Sequence, residues 1–154
     1  MEYLVRAARI TDVDRLVALS HGSVRRSGDR GSLVAADLLR QLVYLPQASI
    51  LVAEEGREVV GGAVLALRPS VRAGGYVGTV DLLLVDERSD VDHVTEALLE
   101  EVLRSARNKG CASVEAARPN DPDELERWNR QGFIAAGPLI ERPVAAAKVA
   151  ARRT

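Results

Sequence analysis

Residues 80–99, VDLLLVDERSDVDHVTEALL, constrain the chain most, because they join an apolar strand to an amphipathic helix through a short polar turn. A helix start leaves backbone N–H groups unpaired and carries the positive end of the helix dipole, so such a turn seats an anion wherever it stays open. Here Ser89, Asp90 and Asp92 put a hydroxyl and two carboxylates over that start, and no glycine lies between Val85 and Leu99. Ser89 or Asp90 is therefore expected to cap the helix and to fill the place of a phosphate.

Composition narrows the classes of function. With 154 residues and 47% hydrophobic positions, the chain is expected to form one domain, 1–154, with a proper core. Its 21 basic and 22 acidic side chains cancel, which removes the positive field that nucleic-acid binders use. A lone cysteine, Cys111, and two distant histidines, His21 and His93, give neither a disulfide nor a metal-ligand spacing. No apolar run approaches the ~18 residues of a membrane span, so the expectation is a soluble cytoplasmic protein that binds no metal, membrane or nucleic acid.

Periodicity and turn residues give the order of elements. A strand over 3–7 leads to a helix with Val13, Leu16 and Val17 on one face, started by Thr11 and Asp14 as a capping box. Residues 21–32 read as a Gly- and Arg-rich mobile loop before a helix bearing Leu38, Leu39, Leu42 and Val43, which Pro46 stops. Residues 49–53 and 59–67 form a hairpin around Glu55 and Gly56, and 76–85 continue the meander. The helix over 90–109 carries a stripe of Val91, Val94, Leu98 and Val102 and a Glu100–Arg104 pair, and Gly110 ends it. A buried strand over 112–116 follows, parallel to the one ending at Val85. Pro122 opens a last helix that Gly132 closes, and Phe133 begins a further strand. The tail, 143–154, reads equally as helix or strand.

This order, with two local patterns, resembles the GNAT superfamily of acyl-CoA-dependent N-acetyltransferases over nearly the whole chain. LERWNRQGF is similar to the family's helix-to-strand signature, an aromatic residue four positions before Gly-Phe, here Trp128 before Gly132 and Phe133. The spacing from Val85 to the pair Leu98 and Leu99 also matches the family's register. The resemblance implies an α/β (α+β) fold: a mixed, mostly antiparallel twisted sheet of six to seven strands, split between the strand ending at Val85 and the strand beginning at Ala112 and flanked on both faces by four helices. It further implies acetyl-CoA or another acyl-CoA as cofactor and a small-molecule or protein amine as acceptor. A homodimer is compatible with it.

Residues of the site come over one by one. By resemblance Leu83, Leu84, Val85, Val94 and Thr95 contact the cofactor, and Asp81 in the fourth strand lies where some relatives place a carboxylate base. From the strand pattern alone, Asp81 is an outward-facing polar residue. His93 is a second base candidate, although the helix dipole beside it lowers basicity. The family's turn reads Arg or Gln, two residues, Gly, one residue, Gly or Ala, and those places hold Asp90, His93 and Thr95. Their Cβ atoms obstruct the backbone approach, and a carboxylate ~4 Å from a phosphate charge costs on the order of 4 kcal/mol at an effective dielectric of ~20, before screening. Trp128 stands where many relatives carry a tyrosine that protonates the departing thiolate, and indole has no usable acid proton; by packing alone it is a core residue. Arg25, Arg26 and Arg30 either border an anionic acceptor or are solvated loop charges. Cys111 reads as a small buried side chain rather than a nucleophile.

Two functions of different class follow. One is an N-acetyltransferase that holds its donor mainly by the pantetheine arm, the backbone amides around Leu83 to Val85 on the thioester carbonyl and Asp81 or water as base. The other is a non-catalytic GNAT-fold module whose closed turn has given up CoA.

Overall fold

The computed structural model describes residues 3–20 and 28–137, together with 140 and 142, and gives the backbone alone for 28–34. In chain order the elements are β1 (Leu4–Ala7), α1 (Val13–Leu19), α2 (Gly28–Leu42), β2 (Ala48–Glu55), β3 (Glu58–Ser70), β4 (Gly75–Val85), α3 (Val91–Asn108), β5 (Cys111–Ala116) and α4 (Pro122–Arg130). A 3-10 turn, Ile10–Asp12, leads into α1. The five strands form one sheet in the order β1-β2-β3-β4-β5, antiparallel throughout except for the parallel pair β4 and β5. No helix is long and apolar enough to cross a membrane among the described residues.

Strand alternation sends successive side chains into two separate cores. Leu51, Ala53, Ala63 and Leu65 meet Val94, Leu98, Leu99 and Val102 of α3, while Ile50, Val52 and Val64 meet Val13 and Leu16 of α1 and Leu39 of α2. Helices thus cover both faces, as expected. Gly61 and Gly62 let them come close. A Cβ on Gly61 would stand 2.8 Å from a methyl of Val94 and 2.9 Å from the carbonyl oxygen of Leu84, and one on Gly62 would run into a methyl of Leu16. The first turn of α3 is held against β3 and β4 for lack of the Gly61 Cβ, and α1 comes close on the opposite face for lack of the Gly62 Cβ.

Several local expectations give way to tertiary forces. Asp12, not Thr11, organises the first helix, its carboxylate accepting from the N–H of Arg9 (2.7 Å) while Arg6 clamps it at 2.8 Å. Helix α2 begins at Gly28, so 28–32 are helical where the composition predicts a loop; once the downstream amphipathic run nucleates, each added residue gains a hydrogen bond. The rest of that loop, with Arg25 and Arg26, and the tail over 143–154 lie outside the described residues. Arg104 pairs with Glu101 (3.4 Å) rather than Glu100. Residues 133–137 enter no ladder, so the described sheet has five strands instead of six or seven. Phe133 instead puts its ring edge-to-face on Trp128, with centroids 4.9 Å apart, and its N–H bonds the carbonyl of Trp128.

Candidate functional site

The site is made where β4 and β5 part. Their parallel ladder runs only from Tyr76 opposite Cys111 to Val80 opposite Ala116, where β5 ends, and β4 continues for five residues without it. At that point β4 carries an extra residue: Val80 pairs with Leu65 and Leu82 with Val64, leaving Asp81 without a partner on β3. Such a bulge bends the strand and shifts its side-chain parity. Val80 faces α3, yet Leu82 and Leu84 face α1 and α2, and Leu83 and Val85 return to the α3 side. Because the N–H of Asp86 donates to Val60 on β3 (2.8 Å), alternation turns the N–H and C=O groups of Leu83 and Val85 away from β3, into the gap beyond Ala116. Asp81 itself is exposed at the mouth of that gap and forms no ion pair among the described residues. Of the other residues that the resemblance assigned to the cofactor, Leu84 packs on the α1 face, and Val94 and Thr95 are buried under the start of α3.

The turn after β4 is locked in place. Asp86 is buried, and its carboxylate accepts from the N–H of Arg88 (2.9 Å), the Arg88 guanidinium (3.2 Å) and Arg15 of α1 (3.0 Å). Its carbonyl takes the N–H and the hydroxyl of Ser89 at 3.0 and 2.6 Å. Arg15 also donates to the carbonyl of Val59 on β3 (3.0 Å). The side-chain and backbone bonds from Arg88 hold the Asp86 carboxyl at about 2, below the 3.8 of a free aspartate. A carboxyl depressed in this way stabilises the fold above its unfolded pKa and loses that contribution as pH falls through 3.8 towards about 2. Asp86→Asn should lose on the order of 2 kcal/mol near neutrality and flatten the fall in stability between about pH 4 and pH 2, read from urea unfolding at a series of pH values. Asp12, lowered by Arg6, titrates in the same direction and leaves a residual slope. Neither Asp86 nor Arg88 was singled out from sequence, although Asp-x-Arg-Ser carries the Asx-turn composition.

Over the helix start, Asp90 is the cap. One carboxylate oxygen accepts from the N–H of His93 (3.3 Å) and the other meets the Nδ1 of the His93 ring (2.6 Å). This contact raises the His93 pKa and lowers that of Asp90, so the pair holds its charges most firmly when the ring is protonated. Asp92, the other carboxylate, is matched across the helix pair by Arg127 of α4 (2.6 Å), with Arg130 at 3.8 Å. The repulsion expected of an anion at this turn therefore falls on Asp90. Beside the turn, an open hollow of about 230 Å³ is lined by Glu55, Glu58, Asp86, Arg88, Ser89 and Val60, three carboxylates against one guanidinium.

Two further residues complete the surroundings. Trp128 is buried at 5% exposure, and its indole N–H has no hydrogen-bond partner among the described residues. Cys111, half-buried at the start of β5, has its thiol pKa raised by burial, which disfavours a thiolate.

Known structures share this architecture. A transcriptional regulator from Bacillus halodurans C-125 superposes with a TM-score of 0.80 at 17% identity, covering 93% of this chain and all of that one. An integron cassette protein from the mobile metagenome of Cole Harbour Salt Marsh is 26% identical, with a TM-score of 0.74 over 91% of this chain and 89% of its own. A predicted acetyltransferase from Clostridium acetobutylicum, solved with acetyl-CoA, gives a TM-score of 0.75 at 13% identity over 92% of this chain and 96% of that one. No curated protein matches the chain in sequence. The profile of the Acetyltransferase (GNAT) family matches residues 15–133, which include the meander, the capped turn, the bulged strand and the Trp128–Phe133 corner, and the chain belongs to that family.

Proposed function

We propose that this GNAT domain is an acyl-CoA-dependent N-acyltransferase that takes its donor by the pantetheine arm. One observation carries this reading: β5 stops opposite Val80, beside the bulge at Asp81, and leaves the polar edge of Leu83 and Val85 open to an extended ligand. An amide-bearing arm laid along that edge would satisfy backbone groups as a further strand does. When bound, the cofactor supplies an acyl group activated as a thioester. The N–H groups of Leu83 and Val85 are the donors that would hold its thioester carbonyl. Leu84 secures the strand from the α1 side, and Val94 and Thr95 support the helix start from beneath. Asp81, exposed at the mouth of the gap, takes the proton of an amine acceptor, directly or through water.

The diphosphate end of the cofactor does not fit equally well. Asp90 and His93 already occupy the helix start where that group would bind, and this supports a second reading, a non-catalytic binding module. Calorimetric titration with acetyl-CoA, free CoA and S-acetyl-pantetheine separates the two. The expected result is saturable binding of acetyl-CoA, with S-acetyl-pantetheine within about tenfold of it, a difference of about 1.4 kcal/mol. Absence of heat from all three would leave the non-catalytic module.

A further inference from the structure

On the sheet face that α1 and α2 share, Leu82 and Leu84 of β4 are packed beneath the helices, but the stretch before the bulge carries charges in the open. Leu65 and Leu67 of β3 point to α3, which puts Arg68 on the opposite face. Val114 and Ala116 of β5 also point to α3, so Glu115 shares the face of Arg68. Val80 does the same on β4 and sends its neighbours Thr79 and Asp81 to that face. Arg68 reaches across β4 to Glu115, Nη2 to Oε1 at 3.4 Å, with 56% and 52% of the two side chains exposed. Neither forms another ion pair among the described residues. Glu115 stands opposite Thr79, one residue before the β4–β5 ladder ends and two residues short of Asp81. The pair therefore lies roughly 7 Å along the strand from the base assigned above.

An ion pair this open contributes little to the fold, so exchanging its partners for those of a ligand costs little. A ligand that takes both ends carries an ammonium for Glu115 and a carboxylate for Arg68, whose planar fork suits a carboxylate. An extended chain of about four carbons spans the remaining distance to Asp81. We propose that the acceptor is a diamino acid: its α-ammonium and α-carboxylate replace the Arg68–Glu115 contact, and its side-chain amine reaches Asp81. That ammonium gives one proton to Asp81, directly or through water, and Asp81 returns it to solvent. The freed nitrogen bonds to the acyl carbon as the carbon–sulfur bond breaks with its electron pair on sulfur, and the nitrogen's second proton passes to that sulfur through water. This assignment rests on the acyl-CoA reading above and names the substrate class of the same site.

Acetyl transfer from acetyl-CoA by the intact protein, followed by mass spectrometry of the products, tests it with four acceptors. L-Lysine and L-ornithine carry the full head group, cadaverine lacks the carboxylate and 6-aminohexanoate lacks the α-ammonium. The better diamino acid should exceed both truncated amines by about tenfold or more in kcat/KM, the worth of one charge-assisted contact. Arg68→Ala should lower kcat/KM for the diamino acid by about tenfold, through KM, and leave cadaverine unchanged; Glu115→Gln should do the same and leave 6-aminohexanoate unchanged. A merely structural role for the pair would lower all four acceptors together. Cadaverine acetylated as well as L-lysine, or variants that treat all acceptors alike, would overturn the assignment and leave the acyl-CoA reading standing. The same holds if acetyl-CoA binds by calorimetry and none of the four is acetylated. Absence of acetyl-CoA binding would overturn both.

Discussion

Exchanging Asp90 for Arg and His93 for Gly should tighten CoA binding by about 100-fold, close to 2.7 kcal/mol, and leave S-acetyl-pantetheine unchanged. The expectation follows from the geometry of the cap. Asp90 spends one carboxylate oxygen on the His93 N–H and the other on the His93 ring, covering the donors that would face a diphosphate. Reversing that charge replaces a repulsion of on the order of 4 kcal/mol at ~4 Å with a guanidinium–phosphate contact, and solvent screening takes back a good part of the gain. Loss of the cap and a glycine in the first turn each cost about 1 kcal/mol of helix stability. Thr95 should be left in place, since at 3% exposure its removal opens a hole beneath the turn. Calorimetry on the folded double variant checks the result. CoA affinity equal to the parent's would mean that the diphosphate is excluded by something other than this cap, and the explanation from Asp90 would be abandoned.

The second large effect is on the fold. Leu98→Ala should destabilise the protein by about 2–5 kcal/mol and lower its melting temperature by roughly 10 °C. Leu98 is fully buried, and one of its methyl groups would stand 3.0 Å from a Cβ that Gly61 lacks, so helix and strand have no slack with which to collapse on a hole. Leu38→Ala is the control: Leu38 is 52% exposed on α2, and its truncation should stay within about 0.5 kcal/mol. Urea midpoints measure both. A loss below about 1 kcal/mol at Leu98 would contradict the close seating of α3 on β3 that fixes the start of the helix.

What the sequence determined by itself was whatever lies within one or two turns of chain. The Asp90 cap, Gly110 and Gly132 in left-handed positions after α3 and α4, and Pro122 opening α4 are all local patterns that the structure bears out, and of the stripe Val91, Val94, Leu98 and Val102 the last three are buried while Val91, at the helix start, is half-buried. So was the family order of elements, carried by the spacing from Val85 to Leu99 and the Trp128 to Phe133 corner. The tertiary structure alone decided what depends on distant partners. Asp81 is a bulge only because β3 pairs past it, a fact of register between two strands that neither strand contains. Asp86 is clamped by Arg15, 71 residues away, and Asp92 by Arg127, 35 residues away, through the faces on which α1 and α4 come to rest. Phe133 carried a strand pattern yet turned its ring onto Trp128, because burying an aromatic edge against a buried indole outweighed the weak local preference of a short apolar run.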